Sequence, residues 1–188
     1  MVIADTNARH QLLAICFDCG DTLVDEGSEV KDARGVTLRA ELIPGAAEVI
    51  CELKRLGYPL ALVADGPTAT FTNILTQHDL YDCFDAFAIS AEVGVEKPDP
   101  HIFIHALDQL GIRREDYGRV VMVGNNLARD IKGANALGLI SVWLDWAPRR
   151  SKTPVDDSEV PQHTIKIPME LLSLIQKLDK ATESNTTP

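Results

Sequence analysis

The chain has 188 residues, 45% of them hydrophobic and 24% charged, which suits one globular domain with an ordinary core. A net charge of −10 argues against unspecific nucleic-acid binding, which needs a basic surface. No apolar run approaches the roughly 20 residues of a membrane span. The start Met1-Val2-Ile3-Ala4-Asp5 lacks the basic lead and apolar stretch of a signal peptide, so a cytoplasmic protein without a membrane partner is expected.

Residues 1–11 read as an N-terminal segment. An apolar run over 12–17 predicts a buried strand that carries Asp18 at its tip, followed by the turn Cys19-Gly20-Asp21-Thr22. Residues 25–41 are polar, with Glu26, Glu29, Lys31, Asp32 and Arg34, and read as a small flap beyond the sheet. Pro44 opens a helix over 45–56 and Gly57 closes it. A strand over 60–64 ends in Ala64-Asp65-Gly66, and a helix over 68–78 leads to a strand over 86–89. The loop Glu96-Lys97-Pro98-Asp99-Pro100 then supplies a cap and an N-terminal proline for a helix over 100–110. A strand over 120–123 ends in Gly124-Asn125-Asn126, and the helix over 127–137 carries Asp130. Gly111 and Gly138 close these two helices. A strand over 140–144, a surface loop over 147–164 with three prolines, a strand over 165–167 and a helix over 169–178 complete the pattern. The tail 181–188 reads as disordered.

Strands separated by single helices imply right-handed crossovers. The fold class is therefore α/β: a Rossmann-like parallel sheet with helices on both faces, forming one core domain over 12–180. The cysteines are Cys16, Cys19, Cys51 and Cys83. Cys16 and Cys19 have a redox or zinc spacing, but they straddle a strand end and no second Cys/His pair answers them, so reduced thiols are expected.

Polar residues gather where strands end, the usual place for reactive groups in such sheets. The motifs are Phe17-Asp18-Cys19-Gly20-Asp21-Thr22-Leu23-Val24, Ala64-Asp65-Gly66, Lys97-Pro98-Asp99-Pro100-His101-Ile102-Phe103, and Gly124-Asn125-Asn126 with Asp130. With the connecting phrases Ile43-Pro44-Gly45 and Leu53-Lys54-Arg55-Leu56-Gly57-Tyr58, the set resembles the haloacid dehalogenase (HAD) superfamily over about 12–178. The resemblance implies that Asp18 is a nucleophile forming an aspartyl-phosphate, that Thr22 steadies its loop, and that Lys97 neutralises charge. It places substrate phosphate near Ala64, Asp65, Gly66 and Lys97. It implies Mg²⁺ held by Asp18, the Gly20 carbonyl, Asn125 and Asp130.

Three positions depart from the family pattern. Gly20 stands where an acid/base Asp is usual, and Asp21 follows one place later; a bulge could re-aim it. Ala64 stands where a hydroxyl would bind phosphate, leaving backbone N–H groups at Asp65 and Gly66 as a cradle. Asn125 replaces a carboxylate, which predicts weaker Mg²⁺ binding. Asn125 also fits the metal-free dehalogenase branch, but the stretch between Asp18 and Ala64 is too short for that branch's helical cap. The expected activity is a Mg²⁺-dependent phosphatase with an eroded acid/base set. The alternative is a degenerate member that binds a phosphorylated ligand or protein. Expected partners are a small phosphorylated metabolite or a larger phosphorylated substrate, with a second copy of the chain as one way to cover the site.

Overall fold

The computed structural model describes residues 10–181. Of the expected N-terminal segment only its end, and of the expected tail only its first residue, falls within them. Strand β1 (Ala14–Phe17) leads through the Asp18 turn and a 3₁₀ turn (Glu26–Ser28) to a small antiparallel hairpin, β2 (Val30–Lys31) with β3 (Thr37–Arg39). There follow α1 (Ala46–Arg55), β4 (Leu60–Ala64), α2 (Thr68–Gln77), β5 (Ala86–Ile89), α3 (Ser90–Val93) and α4 (Pro100–Gln109). Next come β6 (Val120–Gly124), a π-helical turn (Leu127–Ile131) running into α5 (Lys132–Leu137), β7 (Ile140–Leu144), β8 (His163–Ile165) and α6 (Glu170–Ala181).

The main sheet has the order β5-β4-β1-β6-β7-β8, with every pairing parallel. This is the Rossmann-like sheet expected from the sequence. Its strands read as unbroken apolar runs because a parallel sheet is covered on both faces. Alternation along each strand sends Ile15, Phe17, Leu60 and Leu62 to one face, where α1, α2 and α6 pack. Ala14, Cys16, Ala61 and Val63 go to the other, against α4 and α5. The chain leaves β1 toward β4 and β5, then returns to β6 on the far side, so the switch in strand order lies between β1 and β6. Open α/β sheets place their ligand crevice there, outside the carboxyl ends.

Three elements differ from the expectations. The last strand ends two residues earlier, because the Lys166 N–H donates to the Glu170 carboxylate at 2.7 Å and so leaves the ladder. The helix over 127–137 begins as a wide π turn, in which the Asn126 carbonyl accepts from the N–H groups of Arg129, Asp130 and Ile131. Residues Ser90–Val93 form a helix too short for a periodic signal to show. Residues 25–41 carry the 3₁₀ turn and the hairpin, and 147–164 is irregular apart from a 3₁₀ turn at Asp157–Glu159 and the start of β8. Among the described residues no helix is long and apolar enough to cross a membrane.

Candidate active site

Asp18 follows β1, and its N–H donates to the Val123 carbonyl of β6 at 2.9 Å. This bond fixes the residue at the switch point. Thr22 Oγ1 donates to Asp18 Oδ2 at 3.1 Å, and Lys97 Nζ meets Oδ1 at 2.6 Å. The ammonium is buried and also reaches the Val63 carbonyl at 2.9 Å and Asp130 Oδ1 at 2.8 Å. It hydrogen-bonds Asp18 and the Val63 carbonyl, while Asp130 Oδ1 meets it as an ion pair without a hydrogen bond of its own. Burial penalises the charged amine, but Asp130, Asp18 and Asp65 outweigh it and hold the Lys97 pKa well above its ordinary value. Burial pushes the Asp130 carboxyl up, with Lys97 opposing.

The π turn is what aims Asp130. Its Oδ2 accepts from the Asn126 N–H at 2.9 Å, so the carboxylate folds back over the end of β6. A Cβ on Gly124 would fall on that carboxylate, so only glycine leaves the room. Asn125 is buried, and its carbonyl accepts from Trp143 Nε1 at 2.9 Å. Its side-chain nitrogen is buried without a partner.

A cavity of about 260 Å³ opens at this edge, and Asp18, Gly20, Asp65, Lys97, Asn125 and Asp130 all line it. Three expected residues stand elsewhere or are otherwise engaged. Ala64 ends β4 fully buried and does not line the cavity. The Gly66 N–H, expected as part of an anion cradle, donates instead to Ser90 Oγ at 2.9 Å. Thr22 acts on Asp18 from below and does not line the cavity. Asp65 holds its loop together, accepting from the Lys97 N–H at 2.9 Å and from Arg129 at 3.0 Å.

Asp21 is turned away from the cavity. It adopts a left-handed backbone (φ 53°), is fully buried, accepts from the Glu26 N–H at 3.1 Å and pairs with Arg149. It is therefore no substitute for the side chain missing at Gly20. Glu26 does line the cavity, and Arg150 grips both of its oxygens at 2.7 Å. Burial pushes the Glu26 carboxyl above its ordinary value; Arg150 opposes, while Asp21 and Asp18 add to the rise. Glu26 and Arg150 are missed by motif reading because neither belongs to a motif, and they meet across 124 positions of chain.

A family model for the haloacid dehalogenase-like hydrolases matches residues 29–138. The chain belongs to this family. Among curated proteins it is 34% identical to a glyceraldehyde 3-phosphate phosphatase of Methanopyrus kandleri, over 73% of this chain and 58% of that one. It is 35% identical to a phosphoserine phosphatase of Thermus thermophilus, over 65% of this chain and 47% of that one. The chain thus spans about half the length of the curated relatives it matches. An uncharacterized Listeria monocytogenes protein of known structure superposes with a TM-score of 0.67 at 27% identity, covering 88% of this chain and 99% of the other. A HAD phosphatase from Thermococcus onnurineus gives 0.71 at 20%, covering 87% and 98%, which speaks for the fold.

In this HAD member the donors available to a cation are all oxygens: the Asp18 and Asp130 carboxylates, the Gly20 carbonyl and the Asn125 amide. Among the described residues no three His, Cys, Asp or Glu side chains form a metal cluster. The set still fits a hard cation that keeps several waters. The unpartnered Asn125 amide supports this, since a half-turn of the amide presents its oxygen in the same place. The thiols do not suit a metal or redox role. Burial pushes Cys16 up to about 12 and Cys19 higher still, which leaves both protonated.

Proposed function

We propose that the chain is a phosphoric monoester hydrolase in which Asp18 attacks phosphorus and forms an aspartyl-phosphate. One observation carries the reading: a carboxylate at the switch point, with Lys97 at 2.6 Å on one oxygen and Thr22 at 3.1 Å on the other. That arrangement orients a nucleophile and offsets the charge gathering beside it. Lys97 and the Asp65 loop would receive the transferred phosphoryl group. Asp18, the Gly20 carbonyl, Asn125 and Asp130 would hold Mg²⁺. When bound, that ion supplies positive charge against the phosphoryl oxygens.

A cavity of about 260 Å³ favours small phosphorylated metabolites, in keeping with the substrates named for the relatives. Four free thiols suit a reducing compartment such as the cytoplasm. The hairpin over residues 30–39 would act as a small flap over one side of the cavity. A second reading, a degenerate member that binds a phosphorylated ligand or protein partner without turnover, follows from the catalytic side chains missing at Gly20 and Ala64.

The test is a panel of phosphate esters that includes glyceraldehyde 3-phosphate and phosphoserine, with and without Mg²⁺. Turnover that Asp18→Asn abolishes, with phosphate trapped on Asp18 after an acid quench, supports the enzyme. Binding without turnover supports the second reading. Turnover that survives Asp18→Asn overturns the assigned nucleophile.

A further inference from the structure

The space at Gly20 is taken. Its backbone is not left-handed, so the position would accept a side chain, yet a Cβ built there runs into the Glu26 carboxylate. The same Cβ would lie 3.0 Å from both Glu26 Cδ and Cγ. A glutamate six residues later in the chain thus puts its carboxyl group where a side chain of residue 20 would begin. That group lines the cavity together with Asp18 and Lys97. The 3₁₀ turn at Glu26–Ser28 sets the backbone, and the Glu26 N–H is pinned to Asp21 Oδ1 at 3.1 Å. Arg150 grips both carboxylate oxygens at 2.7 Å, which fixes the rotamer without withdrawing the group from the cavity.

We infer that Glu26 is the proton donor and acceptor of this site, reaching from the turn beyond the nucleophile into the place left by Gly20. The inference rests on the phosphatase reading. In the first half-reaction Asp18 forms a bond to phosphorus as the ester oxygen leaves, and the Glu26 proton passes to that oxygen. In the second, water attacks the aspartyl-phosphate and gives its proton to Glu26 while the bond to Asp18 breaks. Phosphate departs and both carboxyl groups return to their starting states. Arg150 is a positioning residue, since it acts through Glu26.

The experiment compares kcat/KM for 4-nitrophenyl phosphate and for glycerol 1-phosphate in the wild type, Asp18→Asn, Glu26→Gln, Glu26→Ala and the double variant Glu26→Ala with Gly20→Asp. The nitrophenolate departs without a proton, so its turnover, lost in Asp18→Asn, secures the phosphatase reading separately. Glu26→Gln keeps the shape and is expected to lower glycerol phosphate turnover by about 100-fold while changing the aryl ester by less than about threefold. The double variant clears the space and restores a carboxyl group from residue 20. It is expected to recover at least about tenfold of the alkyl activity lost in Glu26→Ala. Circular dichroism and thermal melts confirm folding of each variant. With aryl turnover intact and dependent on Asp18, equal losses on both esters, or no loss on either, overturn the role of Glu26. Absence of aryl turnover in the wild type overturns the reading beneath it.

Discussion

At residue scale, Asn125 shows how one atom sets a site. Its amide is buried at the end of β6, held through its carbonyl by Trp143, with its side-chain nitrogen unpartnered. Asn125→Asp adds a negative charge without adding bulk, at a position beside Asp130 and Asp18. Hard-cation affinity rises with ligand charge, so Mg²⁺ should bind at least about tenfold tighter in the variant. Titration calorimetry on both proteins reads this directly, and equal affinities would remove Asn125 from the proposed metal set. Asp18 and Asn125 were legible as residues at strand ends, and Lys97 and Asp130 through the resemblance of their motifs to the family. Glu26 was not. It lies in a polar stretch with no periodic signal, and only the turn geometry and Arg150 bring it beside Gly20. Gly20→Asp alone would force two carboxylates into one space, so on the role proposed for Glu26 it should help only after Glu26 is removed.

At the scale of elements, the hairpin β2–β3 is laced to α2. Thr70 Oγ1 accepts from the Thr37 N–H at 3.0 Å, and Asn73 donates to the Thr37 carbonyl at 3.0 Å. Gln77 bonds both backbone groups of Ala40, at 3.1 and 3.0 Å, and His78 Nε2 lies 2.7 Å from the same carbonyl. A two-stranded ribbon alone is marginal in water, so these side-chain bonds hold it in place. Gln77→Ala would leave the Ala40 N–H without its partner. About 1–2 kcal/mol of local stability should be lost, read as faster amide exchange at residues 37–40 with exchange in β1 unchanged. Uniform exchange across both regions would show that the hairpin opens only with the whole molecule. The strands of the main sheet were legible because burial on two faces leaves apolar runs. The π turn was not, since Leu127–Ile131 and the short helix after it hold too few residues for a shift in apolar phase to show.

For the molecule as a whole, Lys97 joins three parts of the sheet: Asp18 after β1, the Val63 carbonyl of β4, and Asp130 after β6. Lys97→Met removes the shared cation and leaves the buried Asp130 and the partly buried Asp18 without it. Breaking such a pair costs about 3–5 kcal/mol near neutral pH. The sign with pH follows from Asp130. Burial already raises its carboxyl, and removing the ammonium that opposes the rise lifts it further. Its contribution is then most favourable at low pH and is lost as pH climbs through the raised value. The stability gap between variant and wild type, from urea midpoints, should therefore widen between about pH 5 and about pH 8; a gap that narrows would contradict the network. The loop that follows β7 has a different reach. Arg149 pairs with Asp21 and Asp25, and Arg150 with Glu26, so the turn beyond the nucleophile is anchored by residues well over a hundred positions downstream. On the role proposed for Glu26, the acid keeps its aim only through the segment that follows β7, so a proteolytic nick near residue 150 should lower kcat/KM for an alkyl phosphate more than for an aryl phosphate.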